Sequence, residues 1–459
     1  MTARVLPAAA MTFEAEADVV VLGGGAAGLV AALSAAERGA AVVVLERDRL
    51  PRGSTALSAG LVPAAGTLFQ LAKGIEDSPE RFAADIAAKS KGAADPAVLA
   101  AVTAAIGPAL EWLADRHGLP FEVITDFLYP GHSAHRMHGL PSRSGAELMD
   151  RLLAAVERAS IPVLVEAQVR TLFADADGRV RGVAAVRPGG EERIGARAVV
   201  LACNGYGGNR ALVRRYIPAL ADALWFGHAG NTGDALAWGE ALGAATVHLS
   251  GHQGHGSVAH PHGILITWAV IMEGGFQVNA RGERFSDETE GYSEQAERVL
   301  AQPGGVAWDV FDGRIASIAR QFEDFRAAEA AGAILTAPTV AGLASAMHVP
   351  EAALAAELAQ ARGHDRFGRD WSATPPLSPP FHAVRVTGAL FHTQGGLVIG
   401  PDARVLRPDG SALPNLFAAG GAASGLSGPT AAGYLSGNGL LTAVALGRIA
   451  GLAAGDMGP

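Results

Sequence analysis

Cysteine is nearly absent: Cys203 stands alone among 459 residues. One thiol excludes an internal disulfide, an iron–sulfur ligand set and any CxxC metal or CxxCH haem site. Aromatic residues are scarce at 6%, and five of them are tyrosines. Excess positive charge is missing too, since 36 Lys and Arg face 45 Asp and Glu for a formal charge of −9. That balance sets aside a general nucleic-acid or anionic-membrane binder. Low complexity is also excluded, because 59 Gly and 25 Pro in 459 residues stay below the share typical of such chains.

Clean apolar runs of membrane-spanning length are lacking. Residues 241–272 and 410–447 carry no Asp, Glu, Lys or Arg. The first holds five histidines, and the second is broken by Pro414, Asn415, Pro429, Asn438 and glycines. Neither supplies about 20 consecutive apolar residues. The apolar stretch near the start, Val5 to Met11, is too short for a secretory signal. A soluble cytoplasmic protein without a membrane span is expected, and this length suggests two or three domains.

What the chain does have is a 49% hydrophobic share and glycine well above the usual share. Asp18-Val-Val-Val-Leu22 reads as a strand, and Gly23-x-Gly25-x-x-Gly28 follows it. A small-residue helix through Arg38 comes next, then Ala41-Val-Val-Val-Leu45 as a second strand closed by Glu46. This is a βαβ unit with the dinucleotide fingerprint: glycines for a tight turn and close phosphate approach, a helix N-terminus for the pyrophosphate, and an acid for the ribose hydroxyls. An acid there favours FAD or NAD over NADP.

Residues 78–119, 146–159, 349–362 and 440–452 read as helical. Residues 163–173, 180–186 and 198–202 read as strands, with Asp177-Gly178 as a hairpin turn. Residues 281–330 are rich in charge and helix formers, and a proline-rich connection spans 371–380. Glycine-rich texture at both ends around a charged middle suggests one domain split by an insertion.

Four stretches carry a family resemblance: the βαβ unit with Glu46, Gly53-Ser-Thr-Ala-Leu-Ser-Ala-Gly60, Ala198-Val-Val-Leu-Ala-Cys-Asn-Gly-Tyr-Gly207, and the run from His392-Thr-Gln-Gly-Gly396 through Leu416-Phe-Ala-Ala-Gly-Gly421 to Leu435-Ser-Gly-Asn-Gly-Leu440. In this order the chain resembles flavoproteins of the fumarate reductase and succinate dehydrogenase superfamily, which includes 3-ketosteroid delta-1-dehydrogenases. The resemblance implies an α/β fold: a Rossmann-like FAD-binding domain (17–252 and 386–456) split by an inserted α+β capping domain (253–385). It implies FAD held by Gly23, Gly25, Ala26, Ala27, Gly28, Glu46, Arg47, Ser54, Thr55, Ser58, Ala59, Gly60, Val169, Ala202, Asn204, Gly205, Gly420, Gly421, Asn438, Gly439 and Leu440. Some members attach FAD through a histidine. Ser54 stands at that place here, so a non-covalent flavin is expected. The glutamate many members keep near the ribitol is Gly421 here.

The dicarboxylate reductases of the family clamp substrate with Arg and His. Aligned along 265–288, where Thr267 keeps their substrate-side Thr, their neighbouring Glu falls at Trp268 and their relay Arg at Ile271. The resemblance also puts their catalytic Arg at Tyr292 and their C-terminal Arg at Tyr434. Without guanidinium forks the site loses bidentate recognition of two carboxylates. Fumarate and succinate are therefore not expected as substrates.

Tyr129, Tyr292 and Tyr434 fall near the three tyrosines of the ketosteroid dehydrogenases. The expected chemistry is desaturation of a neutral cyclic or hydrophobic ketone: Tyr434 polarises the carbonyl, Tyr292 and Tyr129 take the α-proton, and flavin takes the hydride. One alternative is reduction of an enone or other activated alkene. The other is an electron-transfer flavoprotein subunit. His255 (with His252 as competitor), Thr267, Trp268 and His392 are the expected substrate-side residues. No metal is expected, because the five histidines at 248–262 lack companion ligands. A small-molecule substrate is implied, while the electron acceptor and oligomeric state stay open.

Overall fold

The computed structural model describes residues 3–9 and 11–458. Among these, nine strands form one sheet and seven form another. The Val-rich strand Ala15–Leu22 lies inside the larger sheet, with Val19, Val20 and Val21 fully buried. Val42–Leu45 pairs parallel on one side (Val19 against Val42), and Gly190–Leu201 pairs parallel on the other (Val20 against Val199). Ala412–Ala418 adds a parallel strand beyond it, pairing Val199 with Leu416. Parallel strands covered on both faces need unbroken apolar runs, which explains the Val and Leu content here.

The start of Gly190–Leu201 turns antiparallel to Val180–Arg187, which pairs in turn with Gln168–Ala174. The expected single strand over 163–173 is two. Glu166 takes a φ of +52°, so Val163–Leu164 joins Val42–Leu45 while Gln168–Ala174 crosses to the other side of the sheet.

Two apolar helices cover the sheet at the cofactor end. Ala26–Glu37 starts at the fingerprint turn, where a Cβ on Gly28 would lie 1.9 Å from the Gly23 carbonyl oxygen. Asn438–Gly455 packs along it, and a Cβ on Gly451 would lie 2.3 Å from Ala31 O. Asn438–Gly455 and Pro96–His117 are long and apolar enough to cross a membrane by length and composition, yet each is at least half buried inside the fold. The apolar runs are thus explained by helix packing at glycine.

The smaller sheet forms the cap. Its order is Ile264–Leu265, His252–Ala259, Phe381–Thr393, Val306–Asp312 and Phe276–Val278. Val306–Asp312 sits where charge and helix formers had suggested helix. Its Val306, Ala307, Val310 and Phe311 are buried, so local composition lost to sheet packing. Residue 385, expected as the end of the insertion, lies within the continuous strand Phe381–Thr393. Helix Tyr292–Leu300 presses onto two strands of this sheet, with Gly254 facing Ser293 O and Gly388 facing Ala296 O at 2.6 and 2.3 Å from where a Cβ would stand. That close fit sets the position of Tyr292.

Candidate active site

One cavity runs from the fingerprint turn to the cap. Its dinucleotide end is lined by Gly23, Gly25, Ala26, Ala27, Glu46, Arg47, Ser54, Thr55, Ser58, Ala59, Gly60, Val169, Ala202, Asn204, Gly420, Gly421, Gly439 and Leu440. Gly28, Gly205 and Asn438 do not line it. Gly28 serves helix–strand packing, and Gly205 lies against Thr393, whose Oγ1 is 2.0 Å from where its Cβ would stand. Asn438 is fully buried and donates to Ser427 Oγ at 3.2 Å.

This end suits FAD on its own geometry. Helices Ala26–Glu37 and Asn438–Gly455 begin at Gly25 and Gly437 with no side-chain cap, so first-turn N–H groups and positive dipole ends remain available to anionic groups. The Glu46 carboxylate accepts N–H from Gly24 at 2.7 Å and from Asp48 at 2.9 Å. Each oxygen keeps a lone pair for a ribose hydroxyl. Asn204 takes a left-handed φ of +64°, a conformation Asn tolerates, and its Oδ1 would be 2.1 Å from a Cβ at position 421. Glycine there is required by this contact.

A strap from a distant segment closes over the same end. Ser54 Oγ accepts the His228 N–H at 3.0 Å and Asn231 Nδ2–H at 2.8 Å. Arg47 Nη1 donates to Gly230 O at 2.8 Å, and His228 Nε2 meets Asp48 Oδ2 at 2.5 Å. Sequence reasoning missed His228 and Asn231, because their partners lie more than 170 residues away and no local motif marks them.

At the cap end, Tyr129, His255, Thr267, Trp268, Tyr292, His392 and Tyr434 all line the cavity. Trp268, Ile271, Tyr292 and Tyr434 form one buried cluster against which Tyr129 packs. His255 is stacked between Tyr292 (4.8 Å between centroids) and Phe391 (5.1 Å). His252 lies instead at a separate cleft, 3.5 Å from Glu297. Among the described residues no group of three or more His, Cys, Asp or Glu could hold a metal ion.

The electrostatics follow from burial. Desolvation pushes the Tyr292 phenol up to about 12, partly offset by Ser436, Tyr434 and the Gly437 N–H. Burial and the neighbouring Tyr292 hold Tyr434 and Tyr129 well above their ordinary values. All three stay protonated near neutrality, and Tyr292 gains the most help in carrying charge. His255 is pulled down to about 3 and His392 to about 4, both by burial. His255 Nδ1 accepts the Ser257 N–H at 3.1 Å, so its proton sits on Nε2. A bulge between His255 and Val258 frees that N–H from the ladder, and Asp309 accepts the Ser257 hydroxyl.

Tyr434 Oη accepts the Gly439 N–H at 3.3 Å. Trp268 Nε1 is buried without a partner. The short helix after it, Ala269–Met272, is held by Arg369, which donates to Ile271 O at 3.0 Å and pairs with Glu288 at 2.9 Å. Gln253, Phe391, Gln394 and Asp324 also line the cavity and were not foreseen. Gln394 could have been found from the His392-Thr-Gln motif, since its Nε2 lies 2.9 Å from His392 Nδ1.

A family model described as FAD binding domain matches residues 18–440. The chain is 31% identical to NADH:fumarate oxidoreductase of Klebsiella pneumoniae over 444 residues, which are 95% of this chain and 47% of that relative. It therefore spans about half of that protein's length. Among solved structures it is similar to an open conformation of a flavocytochrome c3 fumarate reductase, at TM-score 0.81 and 29% identity over 98% of this chain and 80% of the other. It is also similar to 3-ketosteroid-delta4-(5alpha)-dehydrogenase from Rhodococcus jostii RHA1, at TM-score 0.76 and 26% identity over 99% and 100% of the two chains. The chain belongs to the FAD-binding flavoprotein family of the fumarate reductases, FAD-dependent oxidoreductases acting on CH–CH groups.

Proposed function

We propose that this member of the family reduces an alkene conjugated to a neutral carbonyl, such as a cyclic or hydrophobic enone. The observation that carries this reading is the substrate end of the cavity: three protonated phenols and two neutral imidazoles, with no Lys or Arg among the described residues that line it. A buried dicarboxylate would lose its hydration there without charged partners in exchange. A neutral carbonyl loses little.

Bound FAD supplies the hydride exchanged with the β-carbon. The chain's own groups do the rest. Tyr434 O–H, backed by the Gly439 N–H at 3.3 Å, donates to the carbonyl oxygen and stabilises the negative charge that develops on it. Tyr292 gives its proton to the α-carbon. A phenol pushed up to about 12 is a poor base at neutral pH but a competent acid toward an enolate carbon. This asymmetry, together with the fumarate-reducing relatives, favours reduction over the desaturation that the tyrosine pattern first suggested. His255 Nε2–H and Trp268 Nε1–H add neutral donors at the substrate. The flavin is held without a covalent bond, because Ser54 Oγ is engaged by His228 and Asn231 and offers no nitrogen to flavin.

Desaturation of the saturated ketone is the second reading. The similarity to a 3-ketosteroid dehydrogenase of Rhodococcus jostii favours it, and the same residues serve both directions. The test is anaerobic. Protein carrying chemically reduced FAD is mixed with cyclic enones and with fumarate while flavin absorbance is followed. Rapid reoxidation by enones supports reduction. Bleaching of oxidised flavin by a saturated ketone, with enones inert, reverses the direction. Reaction with fumarate alone removes the carbonyl reading.

A further inference from the structure

Charge at the substrate end is lopsided. Arg47 is the one Lys or Arg among the described residues lining the cavity, and it is engaged at the dinucleotide end by Gly230 O. Three carboxylates line the cavity: Glu46, Asp234 and Asp324. Glu46 accepts two backbone N–H groups, and Asp234 accepts the Thr232 hydroxyl at 3.3 Å. Asp324 differs from both. It lies in the first turn of the cap helix Glu323–Ala330, with no hydrogen bond or ion pair to any described residue. Its electrostatic neighbour is Glu323, of the same sign.

Ring contacts place it relative to the phenols. Tyr434 and Tyr292 lie 6.0 Å apart, and Tyr129 packs on the same cluster. The Phe127 ring lies 4.8 Å from Tyr129 and 5.8 Å from Phe322 between centroids, which links Phe322 to the phenol cluster. Phe322 and Asp324 both line the cavity. Tyr129 lines it too, so a carboxylate acceptor and the phenols share one cavity.

We propose that Asp324 selects substrates bearing a hydrogen-bond donor, an ammonium or hydroxyl group, on the part of the molecule that reaches Phe322 and Asp324 when Tyr434 holds the carbonyl. The proposal rests on the carbonyl reading of the site. Asp324 is partly exposed, and a ligand that displaces its water leaves the carboxylate satisfied only if the ligand donates to it. An apolar group there leaves it unpaired, and a carboxylate there adds repulsion. Burial and Glu323 push its carboxyl up to about 6, which leaves it mostly ionised at neutral pH.

The test uses FAD-loaded protein and four cyclic enones that differ in one substituent: methyl, hydroxyl, ammonium or carboxylate. Perturbation of the flavin spectrum reads affinity, and absorbance change reads turnover. The hydroxyl and ammonium compounds should bind about ten-fold or more tighter than the methyl compound, and the carboxylate compound should bind most weakly. Asp324→Asn should collapse the ammonium-to-methyl ratio, and Asp324→Lys should invert the order toward the carboxylate. Equal wild-type affinities for ammonium and methyl, or a ratio that survives in Asp324→Asn, would overturn the proposal. Turnover without discrimination overturns it and leaves the carbonyl reading intact. Discrimination in binding without turnover of any enone does the reverse. The wild-type panel decides the matter even if a variant fails to load FAD.

Discussion

Tyr292 and Tyr434 face each other with ring centroids 6.0 Å apart and planes at 62°, and they come from opposite halves of the molecule. Tyr292 opens a helix pressed onto the cap sheet, while Tyr434 precedes the helix that runs under the cofactor domain. A two-phenol site of this kind exists only when both halves are in place. Each phenol has a distinct role, so each can be removed separately.

Tyr434→Phe and Tyr292→Phe should each retain FAD and lose turnover by about 10²–10⁴-fold, the usual effect of removing a positioned acid or an oxyanion donor. Tyr434→Phe should also raise KM for the enone, since it binds the carbonyl before reaction. Tyr292→Phe should leave KM nearly unchanged. Steady-state kinetics beside flavin content would check this. Wild-type rates in either variant would remove that phenol from the chemistry.

The strap over the dinucleotide end should control cofactor retention. Ser54→Ala removes the acceptor shared by His228 and Asn231 and should weaken FAD binding by about ten-fold. Acid precipitation of the native protein should release all flavin into the supernatant. Flavin fluorescence remaining in the pellet would contradict non-covalent attachment.

Acid should destabilise the fold well above the ordinary carboxylate range. Buried His132, His138, His255 and His392 are held at about 4, 4, 3 and 4, against 6.5 unperturbed. Below about pH 6.5 the unfolded chain takes up protons that the fold refuses, so stability falls progressively toward pH 4. Asp309, raised to about 7, and Asp324, raised to about 6, act in the opposite sense over part of that window. Four imidazoles outweigh two carboxyls, and the melting temperature should drop between pH 6.5 and 4.5. A flat profile in scanning calorimetry would show that the imidazoles do not control it.

Gly451→Leu should destabilise the holoprotein by about 1–3 kcal/mol through overpacking, because a Cβ there would stand 2.3 Å from Ala31 O. Gly243→Ala serves as a control, since its surroundings are open, although its φ of +77° adds backbone strain. Urea midpoints of the two variants would separate contact from strain.

The sequence disclosed most where chemistry is local. The fingerprint and Glu46 lie within 24 residues, and the helix expected over 146–159 is found at Gly145–Arg158. The cap was harder. Val306–Asp312 is stabilised by pairing with Phe381–Thr393, some 75 residues away, and no local signal carries such a pairing. His228, Asn231 and Asp324 were invisible for a similar reason: each reaches the cavity from a segment whose own composition marks nothing. Tyr129, Tyr292 and Tyr434 were brought to notice only by the family resemblance, whereas their protonation states depended on burial.

The strand Phe381–Thr393 belongs to the cap sheet along its length and meets the cofactor-side helix with its last residues. Its first half is stitched to Val306–Asp312, and its last residues put His392 against Gly439 at the head of the C-terminal helix. One strand therefore carries both the cap sheet and the imidazole that meets the C-terminal helix, so a substitution that shifts the register of this strand displaces His392 together with the cap.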